Sequence, residues 1–253
     1  MAEPRPATLI TGASAGLGAE FARQCAARGD GLVLVARRRE RLEALAAELG
    51  NAHAVAADLS QPEAAAGLIA QIAARGLWVR TLINNAGFGL VGRFEALPPE
   101  RQLEMVDLNV RALTALARLV LPGMLAHGEG AILNVASTAA FQPGPGFAVY
   151  FATKAYVLSL SEALHQELKG TGIRVSTLCP GPTATEFGAV AGMTSQRFAR
   201  LSADAAAVVR AGLAGLDRNK AVIVPGALNK LSAQGGRFIP RAAMRRIVAR
   251  LKL

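Results

Sequence analysis

Thr11-Gly12-Ala13-Ser14-Ala15-Gly16-Leu17-Gly18 joins a short β-prone run, 8–11, to an Ala-, Glu- and Arg-containing stretch of helical period, 18–28. Three glycines in a strand-to-helix turn let the backbone come close to a ligand. They also leave the free N–H groups of the helix N-terminus facing an anion such as a pyrophosphate. The spacing is Gly-x3-Gly-x-Gly, not the commoner Gly-x-Gly-x2-Gly. By itself it also fits a tight turn with no ligand.

The pattern continues outward from this turn. Apolar runs at 32–36, 52–56, 81–84, 131–136, 174–178 and 222–224 predict further strands. Stretches at 39–49, 62–75, 99–125, 148–169 and 203–216 predict the intervening helices. Such alternation predicts an α/β fold, a Rossmann-type doubly wound parallel sheet with helices on both faces. Leu32-Val33-Leu34-Val35 is apolar on both sides, as a strand covered on both faces must be. No linker-like run or internal repeat divides the 253 residues, so one domain spanning 1–253 is expected.

The 52% hydrophobic content comes largely from alanine, a good helix former. The longest apolar stretches carry Arg118, Pro122 or glycines and fall short of the roughly 20 residues that span a bilayer. The N-terminus lacks the charged and apolar regions of a secretory signal. Cys25 and Cys179 have no framework spacing, so a reduced, cytoplasmic setting is expected. His53, His127 and His165 are scattered without ligand spacing, and no metal site is expected.

The net charge of +10 is concentrated in a tail. Nine basic residues and no acidic one lie between Arg218 and Leu253, leaving 19 basic against 18 acidic elsewhere. A nucleic-acid enzyme would spread basic residues around its site and interleave aromatics, which are only 5% here. Nucleic acid is therefore not an expected partner, and a steep salt dependence of DNA or RNA affinity would be its signature.

The end of the second strand bears on the ligand of the glycine turn. A dinucleotide-binding fold that takes NAD places a carboxylate there, about 20 residues on, for the ribose 2′-hydroxyl. This chain has Ala36-Arg37-Arg38-Arg39 instead, with Arg37 19 residues after Gly18. A carboxylate would repel a 2′-phosphate, whereas guanidinium forks pair with one. NADP(H) is therefore expected over NAD(H), with Arg37 and Arg38 as contacts. The alternative is that these arginines only begin the next helix in solvent.

From about residue 8 to 187 the motifs resemble those of the short-chain dehydrogenase/reductase family. The glycine turn matches, which places Gly12, Ser14, Gly16, Leu17 and Gly18 among the expected cofactor contacts. Asp58-Leu59 looks like the pair that contacts adenine. Asn84-Asn85-Ala86-Gly87 is similar to the segment that supports the sheet and faces the adenosine side, giving Asn85, Ala86 and Gly87 as contacts. Asn109 sits where the family has a catalytic asparagine, and Ser137 ends the fifth strand. Thirteen residues later, Tyr150-Phe-Ala-Thr-Lys154 resembles the Tyr-x3-Lys signature. In 180–185, Pro180, Gly181, Thr183 and Thr185 resemble the segment that embraces the nicotinamide. The resemblance also implies that Lys154 binds the nicotinamide ribose. It implies further that the helices at 99–125 and 148–169 build a homodimer or homotetramer.

Tyr150 and Lys154 are four residues apart, so on a helix they share a face. A free tyrosine has a pKa near 10, too high for good acid–base work at neutral pH, and a nearby ammonium is expected to lower it. The expected chemistry is carbonyl–alcohol interconversion with NADP(H). Tyr150 moves the proton, Ser137 orients and polarises the oxygen, and Asn109 holds a water linking Lys154 to solvent. A different class of reading is a cofactor-bound regulatory or scaffold protein with vestigial chemistry. The presence of all four residue types argues against it.

The stretch 186–203 resembles the family's substrate loop. Phe187, Val190, Met193 and Phe198 in it, together with Phe88, Leu90, Phe141 and Phe147, favour a small hydrophobic substrate. The alternative is that most of them merely close the core. In the basic extension 226–253, Arg241, Arg245 and Arg250 fall on one side of a helix, with Met244, Ile247, Val248 and Leu251 on the other. Such a helix can make weak contact with an anionic membrane surface, or it can pack on its own domain or on a second subunit.

Overall fold

The computed structural model of the chain describes residues 3–192, 202–235 and 238–250. Its elements begin with β1 (Arg5–Thr11), α1 (Gly16–Ala26), β2 (Leu32–Ala36), α2 (Arg39–Leu49), β3 (Ala52–Ala56), α3 (Ala64–Ala74) and β4 (Leu77–Asn84). Next come α4 (Pro99–Val106), a π-helical turn (Asp107–Ala112), α5 (Leu113–His127), β5 (Gly130–Val135), a 3-10 turn (Thr138–Phe141), α6 (Ala148–Glu167) and β6 (Ile173–Leu178). The rest are α7 (Phe187–Ala191), α8 (Ala205–Asp217), β7 (Val222–Ile223), α9 (Ala227–Gly235) and α10 (Arg241–Arg250).

The sheet runs β3-β2-β1-β4-β5-β6-β7 with every pairing parallel, the doubly wound arrangement that the alternation predicts. Apolar strands bury both faces. Leu9, Val33, Val35 and Leu82 pack under α3 and α5, while Ile10, Leu32, Leu34 and Ile83 pack under α1, α2 and α8. Each such side chain contributes about 1.5–3 kcal/mol by leaving water. Strand order reverses between β1 and β4, and the carboxyl ends of these two strands open the crevice in which such sheets bind ligands.

Several elements depart from the pattern read in the sequence. The helix expected over 99–125 is interrupted by the π turn Asp107–Ala112, in which Asn109 is buried. The whole Pro99–His127 stretch, 29 residues, is long and apolar enough to cross a membrane, contrary to the reading of shorter apolar runs. Its stripe Leu113, Leu116, Ala117, Val120 and Met124 is buried, and four of these five join the core under the sheet. α8 begins two residues later than expected because Asp204 caps it, accepting from the N–H groups of Ala206 and Ala207. The helices α7 and α9 had no periodic signal long enough to reveal them.

Candidate active site

The glycine turn is shaped by close approaches. Gly12 and Gly16 adopt φ of +68° and +55°, which side chains disfavour. A Cβ built on Gly18 would overlap the carbonyl oxygen of Gly12. Thr11 and Asn85 tie the turn to β4. Thr11 Oγ1 accepts from the backbone N–H of Asn85 at 3.0 Å and of Ala86 at 2.9 Å, and Asn85 Nδ2 donates to the carbonyl of Thr11 at 2.9 Å. Beneath them lies a buried polar chain. Asn84 Nδ2 donates to Asn134 Oδ1 (3.0 Å) and to the carbonyl of Leu113 (3.2 Å), and Asn134 Nδ2 donates to Ser161 Oγ (2.9 Å).

These contacts frame a cleft of about 520 Å³ across the carboxyl ends of the strands. Every site residue read from the sequence lines it except Gly18 and Asn109. Gly18 stands behind the turn, where it permits the close packing just described. Asn109 is buried behind the wall. Its Nδ2 donates to the Phe88 carbonyl at 3.0 Å and to Thr153 Oγ1 at 3.1 Å, and its Oδ1 accepts from Phe88 N–H at 3.1 Å. Both amide hydrogens are thus committed to the protein itself. A Cβ on Gly87 would lie 2.9 Å from Asn109 Oδ1 and 3.5 Å from Lys154 Nζ, so the three form one tight corner.

At one end of the cleft Tyr150 is buried, with Ser137 lining the same end. Lys154 Nζ lies 5.7 Å from the Tyr150 ring centre and donates to the Val135 carbonyl at 2.8 Å. The sequence led to a phenol lowered by its lysine. Instead burial pushes the phenol up to about 12, and the group that opposes this is Ser137, not Lys154. Burial likewise brings Lys154 down to about 8. Cys179, also buried, is pushed up to about 12, chiefly by burial, and stays a neutral thiol.

Rings surround this end. Phe147 stacks on Tyr150 at 4.5 Å between centroids, and Phe187 lies 5.3 Å away. Phe88, Phe151 and Val190 complete the lining, whereas Phe141 packs among Ala140, Leu158 and Cys179, outside the cleft. Phe151 was missed because it directly follows Tyr150 and would be expected on another helix face. Met193 and Phe198 of the expected substrate loop lie outside the described residues. Met244 and Val248 of α10 pack behind Phe147 and Phe151, so these two residues cover their own domain, while Ile247 stays exposed.

The other end is basic. Arg38 donates through Nε and Nη2 to Ser14 Oγ (3.2 and 3.1 Å) and pairs through Nη1 with Glu186 (2.9 Å). Arg37 pairs with Glu104 of α4 at 3.2 Å. Asp58 accepts from Ser60. Burial raises its carboxyl, but the Ser60 and Gln61 hydrogen bonds and the Arg37 charge outweigh that and hold it below the usual carboxylate range. Among the described residues no group of three or more His, Cys, Asp or Glu is placed to hold a metal. The glycine cradle, the facing N-terminus of α1 and the basic end fit a dinucleotide with its pyrophosphate at the turn.

Residues 6–195 match the family model for short chain dehydrogenase. A sulfoacetaldehyde reductase of Chromohalobacter salexigens is 42% identical over 185 residues, 71% of this chain and 73% of that protein. A short-chain dehydrogenase from Sphingobium yanoikuyae, solved in complex with NADPH, superposes with a TM-score of 0.81 at 38% identity, over 92% of this chain and 93% of that one. A bulky-bulky ketone specific alcohol dehydrogenase from Comamonas testosteroni superposes with a TM-score of 0.79 at 34% identity, covering 92% of each chain. The chain belongs to the short-chain dehydrogenase/reductase family. It is an oxidoreductase of alcohol and carbonyl groups that uses a nicotinamide cofactor.

Proposed function

We propose that the chain is an NADP(H)-dependent enzyme that interconverts a carbonyl and an alcohol on a small hydrophobic substrate. The observation that carries this reading is that Tyr150, Ser137 and Lys154 meet at the ring-lined end of the cleft, with Lys154 Nζ 5.7 Å from the Tyr150 ring centre. A nicotinamide bound in the cleft supplies or accepts the hydride. In the reducing direction Tyr150, protonated at neutral pH, donates its proton to the carbonyl oxygen, and Ser137 donates a hydrogen bond that orients and polarises it. Lys154 loses and regains a proton near pH 8 and can restore the Tyr150 proton.

Arg38, and Arg37 beside it, support the choice of NADP(H), as does the NADPH bound by the Sphingobium relative. The ring lining and the ketone named for the Comamonas relative support a hydrophobic substrate. Exposed Leu103, Val106, Leu119, Leu125 and Tyr156 on α4, α5 and α6 support a homo-oligomer through these helices. The buried free thiols of Cys25 and Cys179 suit a reducing, cytoplasmic compartment. One domain spanning the chain remains our reading of its organisation.

The deciding experiment is NADPH oxidation against a panel of ketones and aldehydes, with Tyr150→Phe alongside. The expected result is turnover that falls by about 10²–10⁴-fold in the variant while NADPH still binds. Undiminished turnover in Tyr150→Phe would remove the assignment.

A further inference from the structure

At the basic end of the cleft, a carboxylate of the chain itself occupies the guanidinium groups. Glu186 Oε2 pairs with Arg38 Nη1 at 2.9 Å, and its Oε1 pairs with Arg41 Nη1 at 2.7 Å. Arg38 meanwhile holds Ser14 Oγ of the glycine turn, so Ser14, Arg38, Glu186 and Arg41 form one continuous cluster. Hydrogen bonds from Arg41 and then Arg38 keep the Glu186 carboxyl below the usual range, so it is an anion at neutral pH. Glu186 reaches them from the segment after β6, where Thr185 packs against Gly16; a Cβ there would sit 3.0 Å from Thr185 Cβ.

Two oxygens of one anion on two different guanidinium groups is the arrangement that two oxygens of a phosphate monoester would make. We propose that Glu186 is an internal stand-in for the cofactor's 2′-phosphate: it holds Arg38 and Arg41 until the phosphate displaces it, and Arg41 is a further 2′-phosphate ligand. This rests on the NADP(H) reading above. A nucleotide without the 2′-phosphate has nothing to exchange for the carboxylate and leaves the pairs intact. Glu186 therefore acts on selectivity: it neutralises two neighbouring cations in the free enzyme and weakens the binding of the phosphate-bearing nucleotide alone.

The test is calorimetric titration of the full chain and its variants with adenosine 2′,5′-bisphosphate and with 5′-AMP, which differ only in the 2′-phosphate. Both Glu186 and Arg41 are about half exposed, so their variants should fold. Glu186→Gln is expected to tighten the bisphosphate by about three- to tenfold, the range set by loss of two exposed ion pairs, and to leave 5′-AMP unchanged. Arg41→Ala is expected to weaken the bisphosphate by a similar factor, again without effect on 5′-AMP. An equal shift of both nucleotides in Glu186→Gln would make Glu186 a simple strap across the cleft and overturn the proposal. So would a weaker or unchanged bisphosphate in Glu186→Gln, or an Arg41→Ala protein that binds it like wild type. A wild-type protein that does not prefer the bisphosphate overturns the NADP(H) assignment and this inference with it. A wild type that prefers it, with Glu186→Gln unshifted, overturns this inference alone.

Discussion

Lys154 Nζ donates to the carbonyl oxygen of Val135 at 2.8 Å, so the lysine is held against the last residue of β5, 5.7 Å from the centre of the Tyr150 ring. The pair shares a helix face, as i and i+4 must, but the bond that fixes the lysine comes from the sheet. Burial brings the lysine down to about 8 and pushes the phenol up to about 12.

The lysine gives a pH-dependent stability. Between about pH 8 and its ordinary 10.5, Lys154 is neutral in the folded protein and protonated in the unfolded chain. The unfolded state then binds more protons, so stability rises with pH across that window. Relative to Lys154→Met, wild type is expected to gain about 2–4 kcal/mol between pH 7 and pH 10.5. Urea unfolding of both proteins at several pH values measures the difference; parallel profiles would show that the ammonium is not held at a cost.

Gly18 never touches the cleft, yet it controls the turn. Gly18→Ala would drive a methyl group into the Gly12 carbonyl and within 2.7 Å of Asn85 Nδ2. The expected loss is about 1–3 kcal/mol of stability, as for other overpacked sites. NADPH and NADH should weaken together, since the turn serves the pyrophosphate that both carry. A thermal melt and two titrations read both effects.

Asn84→Ala removes two donated hydrogen bonds and strands Asn134 Oδ1 in the interior. Unpaired buried acceptors of this kind cost about 1–3 kcal/mol. The denaturant midpoint should fall accordingly, and Asn84→Asp, whose carboxylate faces the same acceptors, should be no better.

Arg38→Ala separates the two cofactors. Charge-assisted hydrogen bonds to a phosphate are worth about 1.5–3 kcal/mol, so NADPH affinity should drop roughly 10- to 100-fold while NADH stays unchanged. Arg37 is paired with Glu104 and should give a smaller loss when changed to Ala. Equal effects of Arg38→Ala on both nucleotides would mean that it supports the turn through Ser14 and does not read the 2′ position.

The sheet and most of the cleft could be read directly from the residues. Buried parallel strands are apolar on both sides, which made 32–36 legible, and the observed β2 spans Leu32–Ala36. The glycine turn was legible because few residues other than glycine tolerate its backbone. Less could be read where a feature depends on a partner distant in the chain. Nothing local marks the π turn at Asn109, which is accompanied by contacts to Phe88 and Thr153, 21 and 44 residues away. Phe141 and Phe147 are equally apolar, and only the path of the chain through the 3-10 turn sends one into the core and the other to the cleft.

The sequence by itself determined the layered α/β class, the turn that cradles an anion, the basic residues at the end of the second strand and the Tyr150–Lys154 spacing. These are properties of local backbone geometry and period, which neighbouring residues dictate. Tertiary structure alone decided that burial pushes the Tyr150 phenol up, that Asn109 spends its amide on Phe88 and Thr153, and that Glu186 meets Arg38 and Arg41 across nearly 150 residues of chain. Desolvation and long-range ion pairs depend on what surrounds a group in space, and no spacing along the chain encodes that.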